Sequence, residues 1–189
     1  MICSDVGNHD LVVKMKSLVE KAKQVATEAH EGQTRKVGKE PYIVHPEAVY
    51  NLLVEVGIQD EDILAAAWLH DTIEDCGFTK EHIEGEFNAN TARIVQALSR
   101  DGKSREDRVE YNETIKNSDF AIQIVKLADT IHNCQTLDEK LKRSTIQHKV
   151  DDCESVFLDL AREICPKFHE LLETCIRPWA TKYPPTKDE

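Results

Sequence analysis

The sequence is short of the residues that interrupt helices: it has only seven glycines and six prolines in 189 positions, and aromatic residues make up 6% of it. This scarcity suits a helical protein, and no stretch reads as a strand of weight. No apolar run approaches the roughly 20 residues needed to span a bilayer, which argues against a membrane protein. Met1 to Asp10 is polar and lacks the basic-then-apolar layout of a signal peptide. No two of the six cysteines form a C-x-x-C pair. They are expected as reduced thiols in a cytoplasmic protein. A zinc site built from Cys153, Cys165 and Cys175 would need a spacing unlike the common zinc motifs. Positive charge is also scarce, with 24 Lys and Arg against 35 Asp and Glu and a formal net charge of -11. General affinity for nucleic acid is thereby excluded, and a phosphate-bearing substrate would have to be met by a local basic patch or a metal ion.

What the sequence does have is amphipathic helical spacing. Val12, Met15, Leu18, Val19, Ala22, Val25, Ala26 and Ala29 recur at threes and fours, predicting a first helix over Leu11 to His30. Two glycines and Pro41 end it, in a loop that gathers Arg35, Lys36 and Lys39. Pro46 belongs in the first turn of a second helix, which stops at Gly57. Asp60 is the expected N-cap of a third helix through Cys76. Thr79 caps a short helix to Phe87, and Asn88 or Asn90 caps another through Leu98. Arg100 to Asp107 reads as a polar loop. Further helices are expected from about Glu106 to Lys116, from a Ser118 cap through Asn133, from Leu141 to about Ile164, and from Pro166 to Ile176. The expectation is an all-α single domain of roughly nine helices over 11–177. A flexible N-terminus (1–10) and a frayed C-terminal tail (178–189) would flank it.

The third helix carries the densest chemistry. An apolar run from Ile63 leads into Leu69-His70-Asp71-Thr72-Ile73-Glu74-Asp75. On one continuous helix His70 would sit above Glu74, and Asp71 above Asp75. Imidazole and carboxylate beside a buried run suit a divalent transition metal with acid–base groups next to it. Asp129 and Asn133 share a face of the strongly apolar helix after Ser118, and a buried carboxylate there needs a partner. Together His45, His70, Asp71 and Asp129 make a donor set suited to Mn²⁺, Fe²⁺ or Zn²⁺. Taken singly, each has a plainer explanation: His45 as a loop residue before proline, Glu74 and Asp75 as solvated helix-end acids, and Asp129 as the ion-pair partner of Lys126.

The order and spacing of the whole set are more specific. His30-x-x-Gln33-x-Arg35-Lys36, Pro41-Tyr42-Ile43-x-His45-Pro46, Leu69-His70-Asp71-x-Ile73-Glu74-Asp75 and Val125-Lys126-Leu127-Ala128-Asp129-x-x-x-Asn133 follow one another. The set resembles the HD-domain hydrolase module of the RelA/SpoT family, and most of all its small stand-alone alarmone hydrolases. The resemblance covers about residues 20 to 140. It implies an all-helical HD-domain bundle binding one Mn²⁺. It also implies hydrolysis of the 3′-pyrophosphate of guanosine tetra- or pentaphosphate (ppGpp or pppGpp) to GDP or GTP and pyrophosphate. The implied metal ligands are His45, His70, Asp71 and Asp129. Glu74 and Asp75 match the pair that positions and activates water. Arg35 and Lys36 match basic residues of the nucleotide site, and Asn133 matches a residue near the ribose and base. Tyr42 is expected to stack or hydrogen-bond near the substrate, or to pack.

A chain of 189 residues has no room for a synthetase domain of the size long family members carry, so hydrolysis without synthesis is expected. Gln135 stands where several long members have arginine, removing one phosphate contact, and Lys103, Arg105 and Arg108 are candidates to replace that charge. His30 is expected to shape the end of the first helix, and His132 to support the site from behind. His9, His82, His148 and His169 are expected to carry no chemistry. Two alternatives stay open: a phosphatase acting on another nucleotide such as NADPH, and a non-catalytic nucleotide-binding module. Monomer and homodimer both remain open.

Overall fold

The computed structural model of the protein describes residues 17–102 and 104–186. The expected start of the first helix at Leu11, the segment 1–10, Cys3, His9 and Lys103 lie outside the described residues. The described chain is helical throughout, with no strand and a single isolated bridge between Thr34 and Pro41. No helix in it is long and apolar enough to cross a membrane.

Helix α1 (Leu18–Ala29) opens with a capping box in which Ser17 and Glu20 satisfy each other's backbone N–H groups. Helices α2 (Val44–Glu55) and α3 (Glu61–Leu69) follow. Asp60 caps α3 as expected, accepting from the N–H groups of Asp62 and Ile63. Next come α4 (Thr72–Cys76), α5 (Lys80–Glu86) and α6 (Ala89–Leu98). Thr79 caps α5, and Asn88 caps α6. Helices α7 (Arg105–Lys116) and α8 (Phe120–Gln135) lead to α9 (Arg143–Asp152). A π-helical turn over Cys153–Phe157 then passes into α10 (Leu158–Ile164), and α11 (Pro166–Lys182) ends the fold.

The nine expected helical stretches are all present, and two of them are divided. The motif helix breaks between α3 and α4 at His70 and Asp71, so the pair does not lie on one continuous helix with Glu74 and Asp75. The stretch Leu141 to Ile164 starts at Arg143 and is interrupted by the π turn. Two expected boundaries are corrected. The cap of α8 is Asp119, which accepts from the N–H groups of Ala121 and Ile122, while Ser118 turns its hydroxyl back to the Ile115 carbonyl. Helix α11 continues through Pro178 to Lys182 instead of stopping at Ile176. Ile176 is buried, and Trp179 and Ala180 pack on the core, so burial on both sides of the proline outweighs the one helical bond it removes.

Helix α3 is the centre of the molecule. Every residue from Ile63 to Leu69 is buried, as befits a helix apolar all round. It packs against α1, α2, α6 and α8. Full burial of Trp68 and Leu69 contributes about 1.5–3 kcal/mol each. Helix α8 is the second central element and also packs against α2, α7, α10 and α11. The site lies where the C-terminal end of α3 meets the flank of α8 and the first turn of α2.

Candidate metal centre and its cavity

Three separate elements bring the donors together. His45 is the second residue of α2, beside Pro46, and is buried. His70 and Asp71 occupy the break between α3 and α4. Asp71 has φ -95° and ψ -3°, a sparsely populated conformation often found in active-site residues. The break is held from both sides: Thr72 donates its hydroxyl to the Leu69 carbonyl at 2.7 Å, and the Asp75 N–H donates to the Asp71 carbonyl at 2.8 Å. Asp129 comes from the middle of α8 and is buried.

The four side chains converge on one point. His70 Nε2 is 3.2 Å from His45 Nε2 and 3.1 Å from Asp71 Oδ2. His45 Nε2 is 3.5 Å from Asp71 Oδ2 and 3.2 Å from Asp129 Oδ1. His70 Nε2 lies 3.8 Å from Asp129 Oδ1. A cation bound at about 2.0–2.2 Å places neighbouring donors about 3.0–3.5 Å apart, so the spacing fits a single ion. His45, His70 and Asp129 are the one such group of three or more His, Cys, Asp or Glu side chains among the described residues. Asp71 adds a carboxylate within reach of both histidines.

The surroundings aim these donors. His70 Nδ1 lies 2.9 Å from the Ala67 carbonyl. A carbonyl only accepts, so Nδ1 carries a proton and Nε2 is the nitrogen turned to the cluster. Tyr42 donates its hydroxyl to Asp71 Oδ2 at 2.6 Å. Lys126 donates to Asp129 Oδ2 at 2.8 Å, and Asn133 donates to Asp129 Oδ1 at 2.5 Å. The lysine pairing of Asp129 and its place in the cluster therefore coexist, one oxygen for each. His45 Nδ1 meets His132 Nδ1 at 2.6 Å.

The electrostatics follow from two carboxylates in a buried pocket. Burial works against a charge on His70, yet the neighbouring Asp71 and Asp129 carboxylates hold its pKa up to about 9. Burial also opposes charge on Asp71 and Asp129, and the cations beside them (His70 for Asp71, Lys126 for Asp129) overcome it and hold both carboxyls below their usual range. Burial lowers His45 and, with His45 and Arg35 nearby, pushes His132 down to about 4. The cluster thus draws in positive charge, and a divalent cation would take the place of the proton on His70.

The cluster opens into a cavity of about 970 Å³. Glu74, Asp75, Arg35, Lys36, Tyr42, Asn133 and Gln135 all line it, together with the four metal-ligand candidates. Glu74 and Asp75 are exposed on α4. Arg35 is braced by Asn133 Oδ1 at 3.3 Å and Thr136 Oγ1 at 3.2 Å, with its guanidinium over the Tyr42 ring. Tyr42 also stacks on His30, whose Nδ1 meets Gln33 Oε1 at 2.9 Å. Lys39 is not on the cavity wall, and neither is Arg105. Arg108 is buried elsewhere, bonded to the His148 carbonyl and paired with Asp152 at 3.2 Å, so it does not replace the charge missing at Gln135. Three cationic residues of the wall, Arg100, Lys126 and Lys149, were not assigned from the sequence as substrate contacts. They stand just beyond α6, on α8 and on α9; Lys126 lies within the motif, three residues before Asp129, while no spacing rule links Arg100 or Lys149 to it. The five described cysteines are free thiols, and Cys134 and Cys153 lie 3.6 Å apart beneath the cavity.

An all-helical fold in which α2, the break between α3 and α4, and α8 bring two histidines and two aspartates to one point defines a candidate metal centre. Residues 22–164 match the family described as "HD domain", and the chain belongs to that family. A guanosine-3′,5′-bis(diphosphate) 3′-pyrophosphohydrolase of Vibrio cholerae is 42% identical over 121 residues, which are 60% of this chain and 17% of that protein. The bifunctional (p)ppGpp synthase/hydrolase SpoT of Escherichia coli is 40% identical over the same length and shares. A GTP pyrophosphokinase of Streptomyces coelicolor is 33% identical over 152 residues, 77% of this chain and 18% of that protein. The matched stretch is thus under a fifth of the length of these relatives. A solved structure of a metazoan SpoT ortholog, described as hydrolysing ppGpp and acting in starvation responses, superimposes with a TM-score of 0.78 at 24% identity. That match covers 86% of this chain and 96% of the other, and it shows the fold.

Proposed function

We propose that this chain is a metal-dependent phosphohydrolase that removes the 3′-pyrophosphate of guanosine tetra- or pentaphosphate. Water adds to phosphorus, the bond to the ribose 3′ oxygen breaks, and pyrophosphate leaves GDP or GTP behind. The observation that carries the proposal is the convergence of His45, His70, Asp71 and Asp129 at 3.1–3.8 Å on the wall of a cavity shared with Arg35 and Lys36. The names of the relatives that match this same stretch support it.

The four donors would hold one cation, with Mn²⁺ our choice and Fe²⁺ or Zn²⁺ suited to the same set. When bound, that cation supplies a Lewis acid for phosphoryl oxygens and a nucleophile near neutral pH. The protein's own groups do the rest. Glu74 and Asp75 face the cavity and are free to orient the attacking water and accept its proton. Arg35, held rigid by Asn133 and Thr136, presents its planar fork to phosphate. Lys36 adds a second charge. Tyr42 commits its hydroxyl to Asp71 and its ring to His30 and the Arg35 guanidinium, which places that guanidinium on the cavity wall.

Purified protein supplied with Mn²⁺ and offered ppGpp and NADPH side by side tests this. Loss of ppGpp that is abolished by EDTA supports the proposal. Turnover of NADPH to NADH with ppGpp untouched would keep the metal site and reassign the substrate. Tight nucleotide binding without turnover of either would make the chain a binding module.

A further inference from the structure

Arg100 stands two residues beyond the end of α6, on the part of the cavity wall built by α4, α6 and α7. The backbone around it is pinned. Tyr111 donates its hydroxyl to the Leu98 carbonyl at 2.7 Å, and Ser99 donates to the Val95 carbonyl at 3.0 Å. The backbone N–H of Arg100 reaches Glu74 Oε2 at 3.4 Å. The side chain has no comparable partner. Its Nε is buried without an acceptor, and among the described residues the guanidinium makes no hydrogen bond or ion pair.

That is unusual in a chain with 35 acidic residues. Buried polar groups in native proteins are nearly always hydrogen-bonded, yet Arg100 Nε is not, and the half-buried side chain lies on the cavity wall. Two other buried nitrogens are also orphaned, Trp68 Nε1 and Arg108 Nε. The first carries no charge, and the second belongs to a guanidinium already neutralised by Asp152. Arg100 alone among these combines an unmatched charge with a place on the cavity wall. An anion entering the cavity would supply the partner that the protein does not.

We infer that the Arg100 guanidinium binds a phosphoryl group of the substrate beside Glu74, on a wall separate from that of Arg35 and Lys36. This rests on reading the cavity as a phosphorylated-nucleotide site, and it adds an anion contact that the motif does not contain. Two cationic walls would seat a ligand whose phosphates are carried at two places, and would disfavour one with a single phosphate group. Arg100 is thus a binding residue that takes the role first looked for in Arg105 and Arg108.

The test uses inorganic pyrophosphate as the probe, titrated calorimetrically into the metal-loaded full chain. Pyrophosphate has no nucleoside, so the result does not depend on which nucleotide is the substrate. Arg100→Gln should weaken pyrophosphate binding at least about ten-fold, the scale of a lost charge-assisted hydrogen bond, with the thermal midpoint unchanged or raised. Arg100→Met, which keeps the apolar stem, should do the same. Arg162→Gln, which removes an exposed charge far from the cavity, should stay within about two-fold of the parent. Binding by the Arg100 variants within two-fold of the parent would overturn the inference. So would equal weakening in Arg162→Gln, or loss of the folded state in both Arg100 variants, which would make the side chain structural. Failure of ppGpp turnover would count against the proposed reaction and leave this result standing.

Discussion

His45 and His132 meet through their Nδ1 atoms at 2.6 Å, and this contact decides which nitrogen His45 turns to the cluster. His45 Nε2 faces Asp71 and Asp129. For that nitrogen to offer a lone pair, Nδ1 must carry the proton and His132 must accept it. His132 is suited to accepting because burial and its cationic neighbours hold it neutral, with a pKa near 4. His132→Phe should therefore weaken metal binding by about ten- to a hundred-fold, and His132→Gln, which keeps an acceptor, should lose less. A competition titration against a chelating dye measures both. Equal affinity in the phenylalanine variant and the parent would show that His45 needs no such support.

Tyr42 plays the matching part for Asp71. Its hydroxyl bond to Oδ2 is 2.6 Å long, while its ring is held separately by stacking on His30. Tyr42→Phe removes only the bond. A hydrogen bond to a charged group contributes about 1.5–3 kcal/mol, so metal affinity should fall about ten-fold or more. If affinity is unchanged while substrate KM rises, Tyr42 acts on the substrate and not on Asp71.

Ligand and water-handling roles separate by mutation. Asp71→Asn should lose metal and activity together. Glu74→Gln should keep the metal within a few-fold while kcat falls by about 10²–10⁴, the usual contribution of a general acid or base. Metal content by plasma emission, read beside kcat, distinguishes the two. Full kcat in Glu74→Gln would remove Glu74 from the chemistry.

Acid stability has a traceable source in Asp62. Burial works against its charge, but hydrogen bonds from Asn90, Asn88 and Thr91 outweigh it and lower its pKa. These bonds tie the start of α3 to the start of α6. A carboxyl lowered on folding adds stability that is fully present above its unfolded pKa and is lost as pH falls through the folded one. Asp62→Asn should therefore be less stable than the parent at neutral pH, and the gap should close below about pH 4. Thermal midpoints taken between about pH 7 and pH 3 check this, and a constant gap would contradict it.

Much of this was legible from residue spacing. The apolar run Ile63–Leu69 announces a buried helix, and the caps Asp60 and Thr79 stand where side-chain oxygens precede helical periodicity. The break at His70 and Asp71 was not legible. Neither residue is a glycine or proline, and the side chains they meet, Tyr42, His45 and Asp129, lie far away in the chain. Ser118 and Asp119 are both good capping residues, and only the bond from Ser118 back to Ile115 shows which one caps. Pro178 reads as a helix stop, but burial of the flanking residues overrides it. The candidate ligands were readable because an ordered set of short motifs is local in sequence. Arg108 and Arg100 were not, because a basic residue in a polar loop carries no sign of whether it turns to a distant aspartate or to the cavity.

The most direct test is the identity of the product. ³¹P NMR of a reaction with ppGpp and Mn²⁺ reports whether the 3′ group leaves intact. The account predicts one pyrophosphate and one GDP per ppGpp consumed, with the reaction abolished by EDTA and by Asp129→Asn. Release of orthophosphate in place of pyrophosphate, or ppGpp left unchanged by a metal-loaded folded protein, would contradict it.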